Sequence, residues 1–408
     1  MTGRHVPASG AARRCPPRNK FAMFSSLVLP WKPAPASFMN PTSPDKLIVA
    51  VCTYHRPCGL RLLLRALEAQ RFEHNPAPDM EILVVDNGGD AETRRLCQDF
   101  GAGRAPLPLR YIQEPRVGIS HARNAVLDHI PAHCDYVALI DDDEIPCPRW
   151  LDELLALQRA TGADLVRGPV IPRYAPGTPA WIARGNYFGW PRPEQRITDG
   201  QNLEQGATNN MLLRWPAVRA TGARFDTGLA RTGGEDTVYF HQLIHAHKLK
   251  MVFAARARVT ETIPPTRSSL RALLRLHFRL GANRLLKKTL RASPGDNKVM
   301  LTIGHAGKGV RHVLLGTAGL LTWWLPGGGG RTRALDSLLR LARGAGHFAG
   351  LLGLRYRYYG GIPHGQASDV HAPPEVHGAR RQYRGPEIWR RRADLVSQGS
   401  FEAGSRLL

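Results

Sequence analysis

Between Lys46 and Val170, short apolar runs rich in β-branched residues alternate with longer stretches in which apolar residues recur every three or four positions. Leu47–Val51, Glu81–Val85, Leu109–Ile112 and Tyr136–Ile140 have the length and composition of buried strands. Pro57–Gln70, Ala91–Phe100 and Ser120–His129 have helical periodicity, and a fourth helix opens at Pro148, a residue suited to a first turn. This alternation predicts an α/β fold: a doubly wound, mostly parallel sheet with helices on both faces. In such sheets ligands bind beyond the carboxyl ends of the strands. Those ends carry Thr53-Tyr54-His55-Arg56, Asp86-Asn87-Gly88-Gly89, Glu114-Pro115-Arg116 and Asp141-Asp142-Asp143-Glu144, so the pattern predicts one site built from all four.

Beyond Val170 the texture changes. The segment to Leu203 is rich in Pro, Gly and aromatics (Tyr174, Trp181, Tyr187, Phe188, Trp190) and reads as long loops over a sheet edge. Asn209–Leu213 reads as a further strand, and Gly233-Gly234-Glu235-Asp236 opens a helix that runs to His247. Residues 267–290 predict one basic amphipathic helix. The apolar stretch His312–Leu325 has 14 residues; as a helix it reaches roughly 21 Å, short of a hydrocarbon core of about 30 Å. In-plane or re-entrant attachment to a membrane is therefore expected rather than a span. Gly327–Gly330 reads as a linker to a second amphipathic stretch, Leu335–Leu354. The expected division is a disordered basic extension over 1–44, a catalytic domain over 45–266, membrane-associating helices over 267–360 and a disordered basic tail over 361–408. Met23 and Met39 stand as alternative starts.

Charge placement sharpens this division. The 408 residues carry a formal net charge of +23 and are 43% hydrophobic, the content of a folded protein. Residues 46–266 hold 26 Lys/Arg against 25 Asp/Glu, whereas residues 267–408 hold 24 against seven, a net of +17. The segment with globular patterning is thus nearly neutral, which argues against a nucleic-acid partner, and no nucleic-acid-binding signature occurs. The basic flanks suit an anionic membrane surface. The six cysteines form no Cys-x-x-Cys pair and fit a reducing compartment.

The candidate chemistry is carboxylate chemistry. Asp141 and Asp143, two apart as the chain leaves a strand, can present both carboxylates to one side while Asp142 points away. Hard oxygen donors so spaced suit Mg²⁺ or Mn²⁺, which keeps few protein ligands and takes the rest from phosphates and water. The plainer alternative is an acidic turn at the start of the Pro148 helix. Asp86 before Asn-Gly-Gly is either a turn aspartate bonding its own backbone or a ligand-binding group. Glu235 and Asp236 behind two glycines either cap a helix or place a general base over the site. His241 and His245 have the spacing of a zinc pair, but Gln242 stands where a zinc peptidase needs Glu, so zinc is not expected. Arg267, Arg271, Arg275 and Arg279 make one helical stripe, suited to a membrane-facing surface or to a pyrophosphate clamp.

The series Val49-Ala50-Val51-Cys52-Thr53-Tyr54-His55-Arg56-Pro57, Ile82-Leu83-Val84-Val85-Asp86-Asn87-Gly88, Gly118-Ile119-Ser120-His121-Ala122-Arg123-Asn124, Leu139-Ile140-Asp141-Asp142-Asp143-Glu144 and Gly234-Glu235-Asp236 resembles the family 2 glycosyltransferases of GT-A fold. Within them it is most similar to the membrane-associated glucosyltransferases of succinoglycan-type exopolysaccharide assembly. The resemblance covers about residues 45–290.

The resemblance implies that Thr53, Tyr54, Arg56 and Asp86 hold the nucleotide base, with Asp86 bonding uracil. Arg116, Gly118, Arg123 and Asn124 would line the ribose and phosphates. Asp141 would lie near the ribose, Asp143 on the metal that bridges the diphosphate, and Asp236, beside Glu235, would be the base that deprotonates the acceptor hydroxyl. It further implies a nucleotide-sugar donor, UDP-linked, transfer with inversion to a lipid-linked or other glycan acceptor, and a place at the cytoplasmic face of the inner membrane. The chain lacks a Gln-x-x-Arg-Trp motif and long transmembrane stretches, so single-sugar addition is expected rather than polymerisation. A nucleotidyltransferase would share the sheet and the metal carboxylates, but Thr53-Tyr54-His55-Arg56 is not its Gly-rich loop. The alternative from another class is a non-catalytic membrane-surface binder driven by the basic tail.

Overall fold

The computed structural model describes residues 44–102, 107–192, 195–292, 295–324 and 330–354. Expectations for residues 1–43, Gly327–Gly329 and 355–408 lie outside them.

The chain begins with β1 (Lys46–Thr53), α1 (Pro57–Glu68), β2 (Asp79–Asp86), α2 (Ala91–Ala102), β3 (Leu109–Gln113), α3 (Ile119–His129) and β4 (Tyr136–Asp141). It continues through β5 (Glu144–Pro146), α4 (Trp150–Thr161), β6 (Leu165–Arg167), β7 (Val170–Tyr174), α5 (Ala180–Gly185), β8 (Met211–Arg214) and α6 (Trp215–Ala220). The remainder is α7 (Glu235–His241), β9 (Met251–Phe253), β10 (Val259–Ile263), α8 (Leu270–Ala282), α9 (Arg284–Leu290), α10 (Lys298–Leu321) and α11 (Gly330–Leu351). A seven-stranded sheet has the order β3-β2-β1-β4-β8-β6-β9, and β5-β10-β7 form a second sheet.

The pleat explains why the strands read as unbroken apolar runs. In β1, Leu47, Val49 and Val51 join one core with Leu60, Leu63, Leu64 and Leu67 of α1 and with Leu151, Leu154 and Leu155 of α4. Ile48 and Ala50 join the other, with Ala122, Ala125 and Val126 of α3 and with Tyr239 and Phe240 of α7. Both faces are covered, so no position along these strands needs to be polar until the strand ends. The four leading strands are parallel, with Thr53 opposite Asp86, Cys52 opposite Asp141, and Asp86 opposite Gln113. The predicted polar ends therefore do gather at one edge.

Other features correct the sequence-based picture. β8 enters antiparallel to both β4 and β6, which an apolar run cannot reveal. Glu144–Pro146 forms a strand before α4 rather than a lead-in to its helix, and β5 pairs antiparallel with β10 so that Glu144 faces Glu261. α7 continues past His241 as a π-helical turn over Gln242–Ala246. The single basic helix expected over 267–290 is two helices, broken at Asn283, whose side chain donates to the Thr232 carbonyl at 2.9 Å. His312–Leu325 is not a separate apolar segment: its first ten residues form the C-terminal part of the 24-residue α10. Among the described residues no helix is long and apolar enough to cross a membrane.

α8, α10 and α11 pack through small residues. A Cβ added at Gly346 would lie 2.1 Å from the Phe278 carbonyl oxygen, and one at Gly281 would lie 2.2 Å from the Arg343 carbonyl oxygen. Backbone atoms on both sides leave nothing that can yield. We expect Gly346→Val to destabilise the protein by about 1–3 kcal/mol, the usual range for overpacking, measured by urea denaturation. An unchanged midpoint would mean that α8 and α11 can separate freely.

Candidate active site

Four parallel strands deliver side chains to one edge, and hydrogen bonds then sort them. Thr53 is buried and donates through Oγ1 to Asp142 Oδ2 at 2.8 Å. Arg56 Nη1 donates to Asp142 Oδ1 at 3.0 Å and to Asp143 Oδ2 at 2.8 Å. Asp142 thus turns inward as the anchor of the acidic run. The N-terminal turn of α1 lies against the same run, for a Cβ at Gly59 would stand 2.6 Å from the Asp142 carbonyl oxygen. The positive end of that helix favours carboxylates there. Tyr54 is half-buried, its ring edge-on to His55 with centroids 4.4 Å apart.

Asp86 is fully buried and its carboxylate is occupied. Oδ1 accepts from the backbone N–H of Gly88 at 2.8 Å and of Gly89 at 3.0 Å, and Oδ2 accepts from the Tyr111 hydroxyl at 2.8 Å. Burial and this carboxylate push the Tyr111 phenol up to about 12. The turn role for Asp86 is therefore realised. Asn87 fixes the next loop: its Nδ2 donates to the carbonyls of Glu114 and Arg116, and its Oδ1 accepts from the Gly118 N–H at 2.7 Å. Arg116 pairs with Glu114 through Nη2 at 2.8 Å and its side chain is 65% open. Gly118, at φ 139°, passes so near residue 230 that a Cβ would lie 2.7 Å from that of Ala230. Asn124 clasps the backbone of Phe225, donating to its carbonyl and accepting from its N–H, both at 2.9 Å.

Arg123 is the junction. Its guanidinium hydrogen-bonds Glu235, lies 3.8 Å from Asp141 and sits over the Phe225 ring at 5.8 Å. It thereby joins the end of β4 to the start of α7, residues nearly a hundred positions apart. Glu235 is 3% exposed, and burial raises its pKa against the pull of Arg123; its Oε2 finds no hydrogen-bond partner among the described residues. Asp236 is half-buried and its Oδ1 accepts from the Thr237 N–H at 2.6 Å. Gly233 and Gly234 precede this pair at φ 74° and 93°, and a Cβ at Gly234 would lie 2.3 Å from Lys287 Cδ. A side chain at 234 would thus meet both backbone strain and a clash.

Sequence reasoning missed three participants, Arg167, Glu261 and Lys287. Arg167 on β6 is buried, lies over the Trp190 ring at 3.5 Å, and is held down to about 10 by burial although Asp236 and Glu144 pull it up. A charged residue inside the run Leu165-Val166-Arg167 was the available signal. Glu261 on β10 faces the site, and Arg267 bonds it at 2.7 Å while standing 3.8 Å from Asp143. Lys287 on α9 senses the charge of Asp236 and Glu235, with no local signal in the sequence. The arginine stripe is therefore divided: Arg267 serves the acidic cluster, Arg279 approaches Gly233, and Arg271 and Arg275 are exposed.

The donor set fits a hard divalent cation. Burial pushes Asp141 up to about 7, with Asp143, Asp142 and Glu261 adding to it against Arg123, although 41% of its side chain is open to an incoming ion. Burial likewise raises Asp142 and Glu261, and raises Glu144 well above the ordinary carboxylate range, leaving Glu144 Oε1 without a partner among the described residues. A cation would relieve this repulsion. Among the described residues no group of three His, Cys, Asp or Glu could hold an ion alone, so phosphate and water would have to complete the sphere.

The description of Glycosyl transferase family 2 matches residues 48–217. The chain is 33% identical over 314 residues to the succinoglycan biosynthesis protein ExoM of Rhizobium meliloti, across 75% of this chain and 93% of that protein. It is 28% identical over 226 residues to the glucosyl-dolichyl phosphate glucuronosyltransferase of Haloferax volcanii, across 50% of this chain and 69% of that one. The structure resembles that of the mannosyltransferase PcManGT from Pyrobaculum calidifontis, solved with GDP-Man and Mn²⁺, at a TM-score of 0.52 and 16% identity. That match spans 80% of this chain and 92% of the other, and it speaks for the fold.

Removing the junction charge should be costly. Arg123→Met leaves Glu235 buried without its cation and is expected to cost about 3–5 kcal/mol at pH 8. Because the folded-state pKa of Glu235 is raised, its protonated form fits the fold better. The deficit should shrink as pH falls and Glu235 takes a proton; denaturant titrations at pH 5 and 8 that show equal deficits would contradict this. Separately, stabilisation by Mn²⁺, read as a thermal shift, should weaken as pH falls through about 7, where Asp141 protonates. A shift independent of pH from 5.5 to 8 would count against Asp141 as a ligand.

Proposed function

The chain belongs to glycosyl transferase family 2 and is a glycosyltransferase of GT-A fold, and on that premise we propose which transfer it performs. It moves a hexose, glucose or a close relative, from a UDP-linked donor to a hydroxyl of a lipid-linked oligosaccharide or other glycan in exopolysaccharide assembly, with inversion at the anomeric carbon. The observation that carries this reading is the Arg123 bridge, which brings Glu235-Asp236 to the strand end bearing Asp141 and Asp143. Support for the acceptor class comes from ExoM, a succinoglycan biosynthesis protein, and from the relative named for a dolichyl phosphate-linked sugar.

Asp143 and Asp141 would hold Mg²⁺ or Mn²⁺, which when bound neutralises charge developing on the leaving diphosphate. Asp236 takes the proton of the acceptor hydroxyl as that oxygen bonds to the anomeric carbon and the bond to the diphosphate breaks on the opposite face. Arg123 orients this base by holding the neighbouring Glu235, and the left-handed Gly233-Gly234 pair lets the loop approach the sugar. Thr53, Tyr54, Arg56, Asp86, Arg116, Gly118 and Asn124 form the nucleotide end, some as direct contacts and some, like Asn124, by fixing the loops that make them. Residues 45–266 act as the catalytic domain, and residues 267–360 associate it with the cytoplasmic face of the inner membrane.

Two variants test the assignment against each other. Asp236→Asn should abolish transfer, by about 10²-fold or more, while UDP still binds with Mn²⁺ as in the wild type. Asp143→Ala should instead weaken Mn²⁺-dependent UDP binding in calorimetry. Transfer of radiolabelled sugar by Asp236→Asn at the wild-type rate would remove Asp236 as the base.

A further inference from the structure

α10 is built the reverse of an ordinary surface helix. Such a helix turns its large apolar side chains inward, yet the side of α10 that is buried presents His305, Gly309 and Gly316. Val313 packs inward beside Gly344, but six large apolar residues face out: Val299, Met300, Ile303, Val310, Leu314 and Leu321 recur at intervals of three, four and seven and fall in one stripe on the opposite side. Leu314 is 64% exposed and Leu321 is 69% exposed. Trp323 and Trp324 follow directly, the latter 68% exposed. A run of exposed apolar groups of this length marks a docking surface.

The chemistry of its surroundings selects the partner. α10 contains Lys298, Lys308 and Arg311 and no acidic residue, and Lys308 and Arg311 lie to one side of the stripe. At 24 residues it is roughly 36 Å long, but it is not apolar enough to cross a bilayer. An apolar stripe with bases alongside and tryptophans at its end is the pattern of a helix lying in the headgroup region of an anionic membrane.

We propose that the outer face of α10, from Val299 to Leu321 with Trp323 and Trp324 at its end, inserts in the plane of an anionic bilayer and is the surface by which the enzyme sits on the membrane. This deepens the proposed function, resting on its reading that the acceptor is membrane-borne, and names the contact.

The test uses the full chain in flotation with vesicles of phosphatidylcholine containing 30 mol% phosphatidylglycerol, and with phosphatidylcholine alone. The wild type should float with the anionic vesicles, less at high salt, and brominated lipid should quench its tryptophan fluorescence. Ile303→Glu/Leu314→Glu should lower the partition coefficient at least about tenfold. The neutral Ile303→Asn/Leu314→Asn pair should show most of that loss, while circular dichroism and donor hydrolysis in detergent stay as in the wild type. Flotation of both double variants like the wild type would overturn the proposal. So would light scattering that shows a wild-type dimer which the variants split while vesicle binding is unchanged, since the stripe would then join two copies. Intact flotation without any donor hydrolysis would support the membrane face and strike the transferase reading instead.

Discussion

The Arg123 guanidinium, held between Glu235 and Asp141, is the interaction on which the site depends. Each carboxylate comes from a different part of the chain, one at the end of a central strand and one at the start of a helix that arrives after some ninety intervening residues. Glu235 would not be tolerated so deep in the protein without a cation beside it, and the same guanidinium reaches the more open Asp141. α3, which carries Arg123, is in turn fixed by Gly118 against residue 230 and by Asn124 against Phe225, so the loop before α7 is tied to the same helix that carries the cation. Removing the charge would therefore loosen the start of α7 as well as leave Glu235 to its own desolvation cost.

Within the acidic run the labour is divided by environment. Asp142, bonded to Thr53 and Arg56, is the residue that holds the run in place, and Glu144 closes back on the Asp141 N–H at 3.1 Å. Asp141 remains the most open of the group and Asp143 shares its arginine with Asp142. Four acids in sequence are compatible with folding because two are committed to structure, while Asp141 stays partly open and Asp143 is paired with Arg56. Burial and mutual repulsion raise several of these carboxylates at once, because each lies within reach of the others' charge.

The region beyond residue 266 contributes to both ends of the problem. Arg267, Asn283 and Lys287 reach the acidic cluster, the Thr232 carbonyl and the Gly234 turn respectively. The following helices pack through glycines, buried histidines and the α11 leucines Leu335 and Leu339, while α10 carries a stripe of bulky apolar side chains on its outer face. Basic composition in this region thus has two physical meanings, site closure near its start and an outward-facing surface farther on.

Sequence by itself determined the strand and helix alternation, the convergence of polar strand ends, and the identity of Asp86, Arg123, Asp141, Asp143, Glu235 and Asp236 as the residues to watch. It could do so because parallel strands buried on both faces must be apolar until they end, so a carboxylate directly after such a run stands out. It predicted that Asp142 would point away from its neighbours, but not what would receive it. Pairing decided the rest. The antiparallel entry of β8, the Glu144–Glu261 register, the break at Asn283 and the approach of Arg167 and Lys287 to Asp236 join residues tens to a hundred positions apart. No local period records such contacts, and only the folded chain brings them within reach of one another.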